Sequence, residues 1–402
     1  MTRIMELRKF SSINLDDTFF DSLKIAIIGA SYLQEPLVRK AKEMGLYTIC
    51  FAWREGATCA EICDKFYPIS IVEKDEILEV CQKEEIDGIC TIASDVAAPT
   101  VAYVANKMGL NGNDYDASVR ANNKYLMRQA FVAAGVPCPS FMVVTNEKMQ
   151  HDDVMEKLKA LQYPVIVKPS DRSGSLGVSK VTSFEELMTA IHQALEYSFK
   201  HEAMVEEFVE GREISVEFIS YHGKHYPLQI TDKVTTEAPH FVELAHHQPS
   251  TLSAAQYSEI YSITQKALNA LGLTEGASHS EYKITESGRI AIMEIGGRMG
   301  GDFIGSDLVQ LSTGYDFVKG VVEVALGNFE EPKKLYEKHS GVYFLCEETK
   351  WLLPIIQNAA NNPCVVKYEI ENLDLKHVTC SADRSGYMIY QSDKKLVLKQ
   401  NS

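Results

Sequence analysis

The sequence predicts an α/β N-terminal part followed by a larger α+β part. Strand and helix signals alternate up to about residue 107, strands and helices of mixed order follow from residue 122, and a two-stranded hairpin pattern lies near residue 290. Strands that alternate with helices favour a parallel sheet with crossover helices, whereas hairpins favour antiparallel pairing. The 402 residues provide enough chain for two or three domains.

The first predicted strand is the apolar run KIAII, which begins at Lys24. Pro36 suits the first turn of a helix that continues to about Met44. Further strands are predicted at 47–51 and 88–92, with helices at 75–84 and 99–107. The turn after the first strand reads GASYLQ, so it lacks the GxGxxG pattern of a dinucleotide site. We therefore predict a Rossmann-like parallel-sheet domain without that site, rather than a dehydrogenase.

The elements after residue 122 mix helices and short strands. A helix, NNKYLMRQAFVAAG, ends at Gly135, a typical residue after a helix C-terminus. Helices are also predicted up to about 161, at 183–197 and at 257–271, and strands at 141–144, 163–168, 178–181, 203–208 and 212–220. The hairpin comprises 278–284 and 289–295, and the last 60 or so residues predict a small sheet-rich part.

Composition excludes several classes of partner. Acidic residues outnumber basic ones 55 to 40, a formal charge of -15 that disfavours nucleic acid and anionic membranes. No apolar stretch approaches the length of a membrane span, and the N-terminus has no apolar core typical of a secretory signal. The nine cysteines are an odd number without CxxC pairs, and a Cys59–Cys63 metal site is disfavoured. We expect a reduced, cytoplasmic protein.

Lys168 ends an apolar strand and precedes the segment PSDRSGSLGV. Gly174 and Gly177 allow backbone N–H groups to turn towards an anion, and Ser173 and Ser175 add hydroxyl donors. This chemistry suits a triphosphate, although the lysine precedes the loop and so does not form a Walker A motif. An ordinary surface hairpin is the alternative.

The segment VEEFVEGREISVEF is a second candidate for nucleotide binding. It places Glu206 and Glu207 at a strand end and Glu213 on the next strand, with Gly211 between them. Backbone groups of such a connector can contact adenine, and its carboxylates can accept from an exocyclic amine or from ribose hydroxyls. A charged edge strand is the simpler interpretation of this segment in isolation.

The hairpin carries the strongest local signal, SHSEYKITESGRIAIMEIGGRMGGDF. Glu281 and Glu294 lie on its two strands, where both carboxylates can converge on one face. Two carboxylates beside a phosphate are a common way to hold Mg²⁺. Arg298 follows within a glycine-rich run and can approach a phosphate or carboxylate through two hydrogen bonds. Solvated acids are the alternative, which fits poorly with Glu294 in the apolar run IMEI.

The polar segment 232–250 is predicted to be a substrate-contacting loop. It contains Asp232, Lys233, Glu243, His246 and His247, a composition that we judge too polar for a core strand. Neither HxH nor HExxH spacing is present, so a zinc site is disfavoured. A contact between Lys233 and a phosphate is the preferred hypothesis.

In sequence order these motifs resemble those of the ATP-grasp superfamily. The resemblance covers roughly 103–326 and includes the helix ending in AGVPCP, VIVKPSDRSGSLGV, VEEFVEGREIS and HSEY…MEIGGR. It implies an ATP-grasp fold in which ATP lies between two α+β subdomains. The chain is similar to single-module L-amino acid ligases, purine-pathway ATP-grasp enzymes and biotin carboxylase-like folds. The expected parts are an N-terminal extension (1–20), a Rossmann-like domain (21–120), linker helices with a lid subdomain (121–205), an ATP-grasp core (206–335) and a C-terminal subdomain (336–402).

The resemblance also implies roles for residues at matching positions. The expected ATP-binding residues are Lys124, Lys168, Ser173, Gly174, Ser175, Gly177, Glu206, Glu207, Val209 and Glu213. Among them, the two lysines match residues that contact the ATP phosphates, and 173–177 matches the mobile phosphate lid. Glu206 matches the acid beside adenine, and Glu207 and Val209 match residues that offer backbone groups to adenine. Glu213 matches the acid that binds the ribose. Glu281 and Glu294 match the ligands of Mg²⁺, for which Mn²⁺ is an alternative. Arg298, Lys233 and Lys168 match the catalytic cations.

One position departs from the family pattern. Many members carry Asn-Pro-Arg after the second glutamate, whereas this chain has Gly296-Gly297-Arg298. Water, or less favourably Asp302, would then complete the metal shell. The resemblance implies a ligase that joins an amino acid or another small carboxylic acid to an amine, or to a thiol or other nucleophile, through an acyl phosphate. It releases ADP and phosphate, and a homodimer is one option. A nucleotide-binding module with little turnover, or a purine-pathway-type carboxylase or formyl-transfer ligase, is the alternative.

Overall fold

The structure is a computed structural model that describes residues 23–172, 176–237, 240–396 and 398. The strands are β1 Lys24–Ile28, β2 Tyr47–Phe51, β3 Lys65–Tyr67, β4 Gly88–Cys90, β5 Phe141–Val144, β6 Val165–Pro169, β7 Ser179–Val181, β8 Ala203–Glu207, β9 Arg212–Tyr221, β10 Lys224–Thr235, β11 Glu243–Gln248, β12 Gly276–Ile284, β13 Ile290–Gly296, β14 His339–Leu345, β15 Val365–Ile370 and β16 Gly386–Ser392. The α-helices are α1 Glu35–Glu43, α2 Lys74–Glu84, α3 Ala98–Met108, α4 Tyr115–Asn122, α5 Lys124–Ala134, α6 Asp152–Lys159, α7 Phe184–Tyr197, α8 Ala254–Leu271, α9 Val309–Thr313, α10 Phe317–Ala325 and α11 Leu353–Gln357.

The N-terminal sheet is parallel, as the sequence predicts. Its strand order is β3-β2-β1-β4. Ile25 and Ile27 of β1 pack on the side of α1 and α10, whereas Ala26 and Ile28 pack on the side of α2 and α3. Because both faces of β1 are covered, its sequence is an unbroken apolar run.

A second, antiparallel sheet follows in the order β5-β8-β6-β7. Val165 and Val167 of β6 are buried beneath α7, against Leu187 and Ile191. Successive residues of a strand point to opposite faces, so Lys168 belongs to the face away from α7. This alternation directs the lysine side chain out of the apolar core of the sheet.

The third sheet has eight strands in the order β13-β12-β9-β10-β11-β14-β16-β15. Helices α5 and α8 cover one face, where Phe131 and Leu268 pack with Phe218. Helix α10 packs between the other face and the N-terminal sheet through Val321 and Val322. The predicted hairpin is confirmed as β12 and β13, and the C-terminal strands β14–β16 continue this sheet. The division of the chain into domains stays a prediction.

The helix predicted to end at Gly135 is confirmed as α5. Asn123 is extended and caps its N-terminus, where its side chain accepts from the backbone N–H of Leu126 at 2.9 Å. One local prediction was wrong. The segment 232–250 is mostly strand: Asp232 and Lys233 of β10 pair in register with His247 and His246 of β11. These polar side chains are buried because residues from other strands partner them.

Across the described ranges, none of the helices combines the length and the apolar character that a bilayer crossing requires.

Candidate active site

The hairpin brings its two glutamates side by side. Glu281 of β12 lies directly opposite Glu294 of β13 in the antiparallel register, so both carboxylates are on one face. Lys124 Nζ lies 2.7 Å from Glu294 Oε1, and Lys233 Nζ lies 2.8 Å from Glu281 Oε1. The two glutamate side chains are 31% and 34% exposed, so each has a lysine partner and an open side.

This pair has the donor chemistry that Mg²⁺ prefers. Mg²⁺ is held by one or two carboxylates and completes its shell with water and substrate phosphates. Glu281 and Glu294 supply such oxygens, and His279 Nε2 lies 3.5 Å from Glu281 Oε1 on the same strand. Asp302 is engaged elsewhere, by both terminal nitrogens of Arg384 at 2.9 and 3.0 Å. The structure therefore does not bring Asp302 to the pair.

Lys233 is buried among three carboxylates. Its Nζ lies 2.8 Å from Glu281, 2.9 Å from Glu213 and 3.3 Å from Glu243, and only 3% of the side chain is exposed. Burial opposes the charge, but the three glutamates outweigh it and raise the pKa of Lys233 well above its usual value. Lys233 is thus a fixed cation beside the predicted metal ligands.

Glu213, the predicted ribose acid, lies next to the same lysine. Its second carboxylate oxygen is 2.8 Å from Lys283 Nζ. Burial opposes its ionisation, but Lys233 and Lys283 lower its pKa. Both oxygens of Glu213 already have a cationic partner, so a ribose hydroxyl would share them.

Glu206 lies between two cations on the neighbouring sheet. Its carboxylate contacts Lys168 Nζ, and its other oxygen lies 2.8 Å from Arg128 Nε, an ionic contact without hydrogen-bond alignment. Burial opposes ionisation of Glu206, but Arg128 and Lys168 lower its pKa. Arg128 Nη2 also donates to the Met293 carbonyl at 2.5 Å, which links this sheet to the hairpin.

The predicted adenine connector follows Glu206. The backbone N–H of Glu207 donates to the Ser140 carbonyl at 2.9 Å, and its carboxylate accepts from Arg289. Val209 is buried in the connector. The Glu207 N–H is therefore occupied within the protein, so the predicted adenine contact needs other backbone groups of the connector.

The two lysines predicted to contact phosphate, Lys124 and Lys168, lie on different elements, α5 and β6. Lys124 begins α5, and its backbone N–H donates to the Ser170 carbonyl at 2.9 Å, just after β6. Burial and the like charges of Arg128 and Lys124 lower the pKa of Lys168, against the opposing effect of Glu206. Gly177 lies in the turn before β7 with φ of +72°, a conformation that favours glycine. The predicted lid residues Ser173, Gly174 and Ser175 lie outside the described residues.

Arg298 has a partner that the sequence analysis missed. Its Nε and Nη2 donate to the two carboxylate oxygens of Asp95 at 2.8 and 2.7 Å. Asp95 follows β4 of the N-terminal sheet, so this ion pair joins two distant parts of the chain. The carboxyl ends of parallel strands commonly carry ligand-binding side chains, and that position was the available signal.

Two glycines near Arg298 permit close approach of polar groups. A Cβ at Gly296 would lie 2.4 Å from Asp95 Oδ1, and a Cβ at Gly300 would lie 2.7 Å from His279 Nδ1. The N–H of Gly300 donates to Glu217 Oε2 at 3.1 Å. The glycine-rich run is thus packed against buried charged groups rather than forming an open loop.

Comparison with known families gives this arrangement a class. Residues 161–307 match the family model of the ATP-grasp domain. This match and the relatives below confirm the resemblance seen in the sequence motifs. Residues 161–307 therefore carry an ATP-grasp domain.

Curated relatives include ligases of two kinds. The chain is 28% identical over 249 residues to alanine–anticapsin ligase of Bacillus subtilis (strain 168), covering 56% of this chain and 51% of that protein. It is 31% identical over 201 residues to D-alanine–D-alanine ligase of Geobacter sulfurreducens, covering 49% of this chain and 61% of that protein. The chain therefore spans about half to three fifths of the length of these relatives.

Solved structures extend the likeness across nearly all of the chain. L-amino acid ligase from Bacillus licheniformis has a TM-score of 0.76 at 20% identity and covers 93% of this chain and 94% of that one. Phosphoribosylglycinamide synthetase from Anaerococcus prevotii has a TM-score of 0.71 at 21% identity and covers 93% of this chain and 95% of that one. At such identities the likeness shows the ATP-grasp fold, and the predicted fold class is confirmed.

Proposed function

We propose that the protein is an ATP-dependent ligase that joins a small carboxylate to an amine and releases ADP and phosphate. The observation that carries this proposal is the pair Glu281 and Glu294, opposed on one face and each next to a buried or half-buried lysine. An amino acid is our preferred carboxylate, because the relatives named above include ligases of alanine and of other amino acids.

In the first step, a carboxylate oxygen of the substrate attacks the γ-phosphorus of ATP. The bond from that phosphorus to the bridging oxygen breaks, ADP leaves with the electron pair, and an acyl phosphate remains. Two anions must approach each other in this step, so fixed cations are required along their path. Lys124, Lys168, Lys233 and Arg298 are the cations that this chain offers there.

Glu281 and Glu294 would hold Mg²⁺, or Mn²⁺ in its place. Bound there, the ion would neutralise charge on the phosphate oxygens. Lys124 and Lys233 contact the two glutamates and orient their carboxylates. Lys233 in particular is held by Glu213 and Glu243 as well, so it would retain its position when Glu281 turns towards a metal.

In the second step, the amine nitrogen attacks the acyl carbon. The bond from that carbon to the phosphate oxygen breaks, inorganic phosphate leaves, and the nitrogen loses a proton to give the amide. One oxygen of the original carboxylate therefore ends in phosphate. Arg298 is our choice for the group that holds the substrate carboxylate, because its guanidinium is planar and fixed.

We also propose that the reaction takes place in the cytoplasm. All nine cysteines are free thiols in the structure, which suits the reducing cytoplasm. A homodimer stays a prediction.

A nucleotide-binding module with little turnover is the second candidate. Gly296 favours it, because the side chain that many ATP-grasp members use as a further metal ligand is missing. Under this alternative MgATP would bind, but no carboxylate and amine would promote phosphate release.

An isotope experiment tests the proposed reaction. We would screen carboxylates and amines for ADP and phosphate release, and then repeat the active pair with ¹⁸O in the carboxylate. We expect one ¹⁸O atom in inorganic phosphate and ADP as the nucleotide product. AMP and pyrophosphate, or unlabelled phosphate, would exclude an acyl phosphate.

Thermal melts should show stabilisation by MgATP of about 2.7 kcal/mol at 100 times its Kd, whereas NADH should give no shift.

A further inference from the structure

We infer that Asp95 is a positioning residue for Arg298 and that Gly296 is the residue that makes room for it. The inference rests on the proposed function, because it assigns Arg298 the substrate carboxylate as its ligand. Asp95 would fix the guanidinium so that its free edge faces that ligand. Asp95 itself makes no contact with substrate in this assignment.

The contact between Asp95 and Arg298 defines the orientation of the guanidinium. Nε and Nη2 form one edge of the planar group, and each donates to a different oxygen of Asp95, at 2.8 and 2.7 Å. The two side chains are only 19% and 16% exposed. Two parallel charge-assisted hydrogen bonds between planar groups fix both the distance and the plane.

The remaining donors of Arg298 can be counted. A guanidinium has five N–H groups, of which Asp95 accepts two and the Met299 carbonyl accepts one from Nη1, at 3.3 Å. Among the described residues, one N–H of each terminal nitrogen is left without a partner. The edge between Nη1 and Nη2 matches the two oxygens of a carboxylate or phosphate.

Backbone contacts hold Asp95 in place. The N–H of Ala93 donates to the Met299 carbonyl at 3.1 Å, and Ala93 has φ of +56°, in the left-handed region that an alanine rarely adopts. The Met299 carbonyl thus accepts from Ala93 and from Arg298 alike. The segment after β4 and the glycine-rich run are therefore joined by main chain as well as by the ion pair.

Gly296 is required by the same contact. A Cβ at this position would lie 2.4 Å from Asp95 Oδ1 and 3.1 Å from Arg298 Nε, so any larger residue would displace the carboxylate. The glycine that departs from the common family pattern is explained by the acid that fills its space. Gly296 and Asp95 form a matched pair, and the effects of changing them should depend on each other.

The kinetic test uses Asp95→Asn, which keeps the size of the side chain and removes its charge. We expect the KM for the carboxylate substrate to rise about tenfold or more, because a charged hydrogen-bond partner of Arg298 is lost. The Kd for MgATP should change by less than about twofold, since the partner of Asp95, Arg298, is assigned to the substrate carboxylate and not to the nucleotide. Glu331→Gln, which breaks an exposed ion pair with Lys224, is the matched control. Wild-type KM in Asp95→Asn would overturn the inference.

A double-mutant cycle tests the matched pair without relying on activity. Gly296→Ala alone should lower the melting temperature, because its Cβ meets Asp95. Gly296→Ala in an Asp95→Gly background should lower it much less, since the clash is gone. Equal effects in both backgrounds would contradict the pairing. Absence of turnover in the wild-type protein would refute the proposed ligase instead, and the melting cycle would still decide whether Asp95 and Gly296 are paired.

Discussion

Two groups of charged residues, one on the second sheet and one on the third, differ in how completely the protein itself occupies them. Glu206 is 1% exposed, and both its oxygens contact cations that are themselves nearly or fully buried. Glu281 and Glu294 are 34% and 31% exposed, and each has one close lysine contact on one side. We call Glu206 with Arg128 and Lys168 the closed cluster. We call Glu281 and Glu294 the open pair.

The difference separates a structural role from a binding role. A buried charge without its partner is unfavourable, so removing one charge from the closed cluster should destabilise the fold. Carboxylates of the open pair keep lone pairs that face solvent, and a cation can replace water there without breaking the fold. Similar residue types therefore serve stability on one sheet and, in our proposal, metal and phosphate binding on another.

Glu206→Gln should give the largest effect and tests the closed cluster. Removing one charge leaves Arg128 and Lys168 buried without a counter-charge, so the free energy of unfolding should fall by about 3–5 kcal/mol. Chemical denaturation followed by circular dichroism measures it. The control is Glu331→Gln, at an exposed pair. A loss below about 1 kcal/mol would mean that the closed cluster is open to solvent.

Glu294→Gln tests the open pair. We expect phosphate release to fall about 100-fold or more, because the residue would help to neutralise the transferring phosphate. The affinity for nucleotide should stay within about tenfold, and the melting temperature should change little, since the side chain is 31% exposed. Glu286→Gln, on the exposed turn of the same hairpin, is the control. Unchanged turnover in Glu294→Gln would show that the open pair is only solvated surface.

His247 extends the comparison to a buried group without an acidic partner in direct contact. It is 4% exposed, its Nδ1 lies 3.0 Å from the Tyr390 hydroxyl, and Asp232, His246 and Lys395 are nearby charged or titratable groups. Burial, with Lys395 and His246, lowers the pKa of His247 from 6.5 to about 3.

Below pH 6.5, His247 therefore binds a proton in the unfolded chain but stays neutral in the folded protein. The free energy of unfolding thus falls as pH drops from 6.5 towards 3. At pH 5 the loss due to His247 should be about 2 kcal/mol. Denaturation at pH 7.5 and pH 5 should show this extra loss in the wild type and not in His247→Gln, which keeps a hydrogen-bonding side chain. His192→Gln, on the exposed face of α7, is the control. Equal pH dependence in wild type and His247→Gln would contradict the assignment.

The open pair and the parallel sheet were predictable because their signals are local. Glu281 and Glu294 lie on strands joined by a short turn, so the hairpin pattern alone places them on one face, as the register confirms. The unbroken apolar run of β1 similarly indicates a strand covered on both faces. In both cases the residues that decide the structure are near neighbours in the sequence.

The failed predictions involve partners that are far apart in the chain. Asp232 was predicted to lie in a loop, but in the fold Arg212 and Ser250 contact its carboxylate. His247 was assigned to the same loop, but in the fold its ring contacts the Tyr390 hydroxyl. Asp95 and Arg298 are separated by 203 positions, and no spacing rule connects them. Burial of a polar residue depends on the partner that satisfies it, so local composition misassigned these strands and missed Asp95.

Glu207→Gln should give the smallest effect and marks where the closed cluster ends. Glu207 is the next residue after Glu206, but its side chain is 33% exposed and its partner Arg289 is 45% exposed. Exposed ion pairs contribute about 0–1 kcal/mol, so the free energy of unfolding should change by no more than that. The predicted adenine contact uses the backbone, and the Kd for MgATP should therefore change by less than about threefold. Isothermal titration calorimetry with Glu286→Gln as control measures it. A tenfold loss of affinity would show that the Glu207 side chain contacts the nucleotide.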